Sequence, residues 1–187
     1  MTSSGHITLK LGFVRRNLRG ALVTCKKLAY VTLVRSGMEY ASVIWDAYTK
    51  ADSNKLEKIQ RTAAKWILSS YSYKTSVTSL LTSLLQQLQL KSLEERRKIQ
   101  RLAFMYKILN DQVAVPATSV DLTLSSRPSR GADANQQKLV TVRSYTENYR
   151  QSYSIRTVKD WNTLPQSVVS AGSLALFKSR LSSHAAP

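Results

Sequence analysis

Cysteine, histidine and acid are the scarce residues of this chain. A single cysteine, Cys25, excludes an intrachain disulfide and a zinc knuckle and fits a reducing compartment. With Leu22, Leu28 and Ala29 around it, it reads as a buried thiol. The two histidines, His6 and His184, lie near the chain ends, a poor basis for a Ser–His or Cys–His nucleophile pair. The six aspartates (Asp46, Asp52, Asp111, Asp121, Asp133 and Asp160) are dispersed, so no paired carboxylates for a two-metal centre are visible. Six glycines are scattered without forming a phosphate-cradling loop. No run approaches the ~18 consecutive apolar residues of a membrane span, and "MTSSGHITLK" lacks the apolar core of a signal peptide. The expectation is an intracellular protein, nuclear or cytoplasmic, with no catalytic centre, metal or cofactor in this chain.

What is plentiful is positive charge. Twenty-eight Lys and Arg face 11 Asp and Glu in 187 residues, giving +17 and a pI near 10.3. The excess is spread along the chain: +6 over residues 1–50, +7 over 51–110 and +4 over 111–187. A basic tail on a neutral domain is excluded, and a polyanionic partner is indicated.

Apolar spacing predicts helices over the first 111 residues. "LGFVRRNLRG" places Leu11, Val14 and Leu18 on one face, with Gly20 as a stop. "ALVTCKKLAYVTLVR" puts Leu22, Cys25, Ala29 and Leu33 together. Ser36 with Glu39 has capping-box spacing, and so does Ser92 with Glu95. Asp52 or Ser53 is placed to cap "KLEKIQRTAAKWI", whose Leu56, Ile59, Ala63, Trp66 and Ile67 form an apolar stripe. "SVTSLLTSLLQQLQL" reads as a central helix through Val77, Leu80, Leu81, Leu84, Leu85 and Leu88. In "LEERRKIQRLAFMYKILND", Ile99, Leu102, Tyr106 and Leu109 face inward; Arg97, Lys98, Arg101 and Lys107 lie outside or at the edge. Glu94 is spaced to pair with Lys98.

Residues 112–137, with "LSSRPSRGADANQQ", read as a loop or linker. The alternation in "KLVTVRSY" predicts a half-buried strand, with "YRQSYSIR" as its hairpin partner. A short helix follows in "TVKDWNTLP", capped by Thr157, and a last one in "SLALFKSRL" with Leu174, Phe177 and Leu181 inward. The expected fold is therefore mainly α: a helical bundle over 1–111, a linker over 112–137 and a small α+β unit with a β-hairpin over 138–187.

Several helices set cations beside their apolar stripes. Arg15, Arg16, Arg19, Lys26 and Lys27 come first, then Lys55, Lys58, Arg61 and Lys65, then Arg97, Lys98 and Arg101. A solvated face explains any one of them; their repetition points to a surface for a nucleic-acid backbone. Trp45, Trp66 and Trp161 fall on apolar faces and read as core anchors. Tyr145, Tyr149 and Tyr153, interleaved with Arg143, Arg150 and Arg156, are candidates for base stacking.

The ordered set "LGFVRRNL", "AYVTLVRSGMEYASVIWD", "KLEKIQRTAAKWI", "LKSLEERRKIQRLAFMYKILN", "IRTVKDWNTLP" and "FKSRL" resembles the segment after the palm of LINE-type (non-LTR) retrotransposon reverse transcriptases, in the Jockey and chicken-repeat groups. The resemblance runs from about residue 9 to 181. It departs from relatives at Ser36 and Ala47, where many have proline, and at Thr62, where many have arginine. It implies a thumb and the region following it, part of an RNA-directed DNA polymerase but noncatalytic alone, with magnesium needed only in the absent palm. It also implies Arg15, Arg16 and Arg19 near the primer-side backbone, and Lys58, Arg61 and Lys65 on duplex or structured RNA. The implied partners are RNA or an RNA–DNA hybrid and the missing fingers and palm. The initial Met stands where a palm would precede, so a truncated copy or gene-model fragment is expected. The alternatives are a protein-interaction scaffold that self-associates through its palm-facing surface, and binding of basic amphipathic helices to a membrane surface.

Overall fold

Ile7, Leu11 and Val14 repeat every three or four residues and place one side of α1 (Ser3–Asn17) in a core. The computed structural model describes residues 3–47, 49–69, 83–126 and 134–184. The chain divides into two compact units, Met1–Arg97 and Lys98–Pro187.

In the first unit, α1 is followed by a helical run made of α2 (Val23–Ala29), a π-helical stretch (Tyr30–Arg35) and α3 (Ser36–Glu39). Its buried positions are Lys26, Tyr30, Val34 and Met38, four residues apart throughout. In a regular α-helix, residues twelve apart lie about 120° from each other around the axis. The wider i→i+5 turn of the π stretch removes that drift and keeps all four on one face. This overturns the expected face: Leu22 and Leu33 are exposed, and Cys25 is an exposed thiol. Nor does Ser36 cap a helix. Its hydroxyl donates to the Thr32 carbonyl within a continuous run, and Glu39 pairs with Arg35 and Arg96.

After α4 (Ser42–Trp45), α5 (Lys50–Ile67) lays Leu56, Ile59, Ala63, Trp66 and Ile67 in the same core as α1. Its cap is Thr49, whose hydroxyl accepts from the Asp52 amide at 3.1 Å; neither Asp52 nor Ser53 takes that place. Thr49→Ala should cost about 1 kcal/mol of stability, read by urea denaturation. Of the predicted central helix, Val77, Leu80 and Leu81 lie outside the described residues. A helical stretch over 83–87 (α6) buries Leu84. Trp45 is partly exposed, with its indole N–H donating to the Tyr40 carbonyl, whereas Trp66 is buried.

The next helix, α7 (Leu93–Leu109), begins in the first unit and ends in the second. Ser92 caps it through the Glu95 amide as predicted, but the Glu95 carboxylate turns to Lys91 at 2.7 Å. The amides of Leu93 and Glu94 donate instead to Glu57 of α5, at 2.7 and 3.2 Å. That carboxylate satisfies two orphan donors and the positive end of the helix together. Beside it, Tyr30 donates to Gln60, which donates to the Lys91 carbonyl.

Among its described residues, the regular elements of the second unit are all helical. Leu102, Met105, Tyr106 and Ile108 of α7 meet α9 (Tyr153–Asn162), α10 (Gln166–Val169) and α11 (Leu174–His184) around Trp161 and Phe177. A 3₁₀ turn (Ala117–Val120) and α8 (Glu147–Arg150) complete it. The predicted hairpin and α+β unit are not formed: among the described residues there is no strand, only one antiparallel bridge between Leu124 and Leu139. The expected partner "YRQSYSIR" enters α8 and α9, with Thr146 capping α8 through the Tyr149 amide. The segment around Leu139 finds partners among side chains as well as in the backbone of Thr123 and Ser125. Asn162 accepts from the Leu139 amide and donates to its carbonyl, both at 2.9 Å, and Gln166 accepts from the Gln136 amide. Thr157 is not a cap either: it is buried inside α9, which starts four residues earlier.

Candidate nucleic-acid interface

On α5 the apolar stripe lies in the core and the basic stripe runs along its solvent edge. Lys55 and Lys58 are exposed, Arg61 and Lys65 half-buried. Ten residues of helix span about 15 Å, the rise of roughly four phosphates along one strand of a duplex. Lys55 is partly committed. Its ammonium is 2.7 Å from Asp52 and, with the Thr49 hydroxyl, holds that carboxyl below its ordinary pKa. Arg61 Nε donates to the Glu57 carbonyl. Thr62, where the resemblance expects arginine, donates its hydroxyl to the Lys58 carbonyl.

A cleft of about 590 Å³ opens beside the end of α5, lined by Gly12, Arg15, Arg16 and Arg19 with Trp66. Lys26 lies 5.8 Å from the Trp66 ring centroid and 3.5 Å from the Ser69 hydroxyl. It is 6 % exposed, its stem buried and its charge set over an aromatic face. Lys27, on the next position, is half-buried. Among the described residues, Arg15, Arg16, Arg19, Lys27, Lys58 and Lys65 take part in no ion pair. These cations of the first unit are thus on α1, in the turn after it, on α2 and on α5. The roles of Gly12 and Trp66 as cleft walls carry no sequence signal, because glycine and an apolar-face tryptophan read as ordinary helix positions.

The cations predicted on α7 are placed differently. Arg97 is 2 % exposed, with Nε 2.7 Å from Asp46 and Nη2 3.1 Å from the Ser53 hydroxyl. Burial pushes its pKa down. Arg101 is also buried, 3.0 Å from Asp160. Lys98 is exposed and shares that carboxylate at 3.2 Å, in place of the expected Glu94. The expected outer position of Arg97 and Arg101 is therefore corrected. Spacing could not reveal it, since Asp46 and Asp160 are more than fifty residues away in sequence.

Two of the three stacking candidates remain accessible. Tyr145 is exposed, with the Arg143 guanidinium 5.4 Å over its ring, and Tyr149 is exposed beside Arg150, which pairs with Glu147. Tyr153 packs edge-on against Phe104 and donates to the Arg101 carbonyl, so its work is structural.

Among the described residues no three His, Cys, Asp or Glu side chains gather as metal ligands. No described helix is long and apolar enough to cross a membrane. No protein-family model, curated protein or solved structure matches this chain.

Proposed function

We propose that this chain is a noncatalytic helical module that holds RNA or an RNA–DNA hybrid by its phosphates. In this reading it is the thumb and following region of a non-LTR retrotransposon reverse transcriptase, acting inside the cell, in nucleus or cytoplasm. One observation carries the binding reading. Among the described residues, Arg15, Arg16, Arg19, Lys27, Lys58 and Lys65 stand outside any ion pair, in a chain of net charge +17. Such a surface exchanges condensed counterions for protein contacts when it meets a polyanion. The reverse-transcriptase assignment rests on the ordered sequence resemblance.

Titration of a fluorescent RNA–DNA hybrid over a range of salt tests the binding. Each phosphate contact contributes roughly 0.7–0.9 to the slope of log K against log salt. Replacing Lys58, Arg61 and Lys65 with glutamine should reduce that slope by about 2 to 3 while the helical circular-dichroism signal is kept. An unchanged slope in the folded variant removes α5 from the interface.

A second reading, a protein-interaction or self-associating scaffold, is favoured by the exposed Leu9 and Phe13 of α1 and the exposed Leu22, Leu28 and Leu33 of the following run. Sedimentation in high salt without nucleic acid separates the two. Persistent oligomers support the scaffold, and a monomer leaves the nucleic-acid reading.

A further inference from the structure

Three arginines line one cleft. Arg15 and Arg16 lie in the last turn of α1, Arg19 lies in the turn just after it, and all three line the same 590 Å³ space, with no carboxylate among its described lining residues. Basic residues in the last turn of a helix offset its negative end, which accounts for arginine near the end of α1. It does not account for three of them around a concavity. Like charges gathered around one concavity repel each other, and no carboxylate among its described lining residues relieves it. The guanidinium fork matches phosphate oxygens two at a time.

An internal phosphodiester brings a single negative charge. A phosphomonoester carries about −1.5 to −2 at neutral pH and three oxygens free to accept. Lys65 precedes Trp66 on α5, and the stripe continues away from the cleft through Arg61 and Lys58. We propose that the Gly12–Arg15–Arg16–Arg19 cleft receives a terminal phosphomonoester of RNA, while the rest of that strand runs along α5. The proposal rests on the nucleic-acid reading above.

The test compares three forms of one RNA oligonucleotide binding to the full chain: phosphorylated at the 5′ end, phosphorylated at the 3′ end, or at neither. One phosphorylated form should bind about tenfold more tightly than the unphosphorylated strand, the scale of a charged hydrogen bond. Arg15→Gln with Arg19→Gln should abolish the preference and weaken the unphosphorylated strand much less. Gly12→Glu is a second route to the same result. A Cβ at Gly12 meets only Arg16 Nη1, at an ordinary 3.5 Å, so a carboxylate can be set among the arginines without moving the backbone. Equal binding of all three RNAs overturns the terminal-phosphate site and leaves general RNA binding intact. No binding of any RNA overturns the underlying reading as well. A preference that survives both variants places the phosphate elsewhere. Vesicles bearing phosphoinositide that outcompete the phosphorylated RNA assign the cleft to a lipid headgroup and overturn the proposal.

Discussion

Asp46→Ala is expected to lower the stability of the Met1–Arg97 unit by about 3–5 kcal/mol, the range for removing one member of a buried ion pair. Arg97 is 2 % exposed and its Nε sits 2.7 Å from that carboxylate. With the carboxylate gone, the Ser53 hydroxyl remains in contact while Glu57, Glu94 and Glu39 act only through the field, and a hydroxyl cannot compensate a full positive charge. A lysine in that place could shed its proton; a guanidinium keeps its charge at any pH a protein survives. The cost therefore stays. Removing both charges, as in Asp46→Leu with Arg97→Met, should be much milder, because no ion is left behind. Urea denaturation followed by circular dichroism reads both variants. A loss under about 1 kcal/mol for Asp46→Ala means that the pair is hydrated in solution.

Trp161→Ala should cost the Lys98–Pro187 unit about 3–5 kcal/mol. The indole is fully buried, lies with its centroid 5.8 Å from that of Phe177, and donates to the Gln137 carbonyl at 2.9 Å. Truncation opens a cavity and leaves that carbonyl unpaired. Trp161→Phe, which keeps most of the volume, should lose about 1–2 kcal/mol, chiefly from the hydrogen bond. The remaining tryptophans, Trp45 and Trp66, belong to the first unit. In the Trp161 variants fluorescence therefore reports Met1–Arg97 alone, while circular dichroism reports the whole chain. Two separated transitions are the expected signature. Coincident transitions at wild-type urea concentrations count against the assignment.

Helices whose apolar residues follow a plain 3.6-residue period were legible in the sequence. The core faces of α1, α5 and α11 lie where spacing puts them, at Leu11 and Val14, at Leu56, Ile59 and Trp66, and at Phe177 and Leu181. The run from Val23 to Glu39 was not, because its π-helical stretch repeats every four residues and a scan at 100° per residue follows the wrong face. Capping was half legible. Ser92 acts locally, whereas the Glu57 carboxylate that holds the Leu93 amide comes from thirty-six residues upstream. In the basic surface, sequence supplied the cations but not their partners. Lys58 and Arg97 look alike in a string of letters, and only tertiary pairing distinguishes an exposed cation from one sealed against Asp46. The alternation at Val140 and Val142 misled: the described residues there form no strand, only the single Leu124–Leu139 bridge, and "YRQSYSIR" enters α8 and α9.

The Asn162 side chain has a consequence for how this molecule behaves in company. An extended segment normally advertises its unpaired backbone to any neighbouring chain. Here the amide of Asn162 imitates a peptide group and occupies both the N–H and the C=O of Leu139. On the other edge, the Lys138 carbonyl accepts from Ser125 and the Val140 amide donates to Thr123. Residues 138–140 are thus closed along both edges without any sheet being built. An incoming strand finds the Leu139 N–H and C=O already taken, so one asparagine closes that edge where a ladder would start.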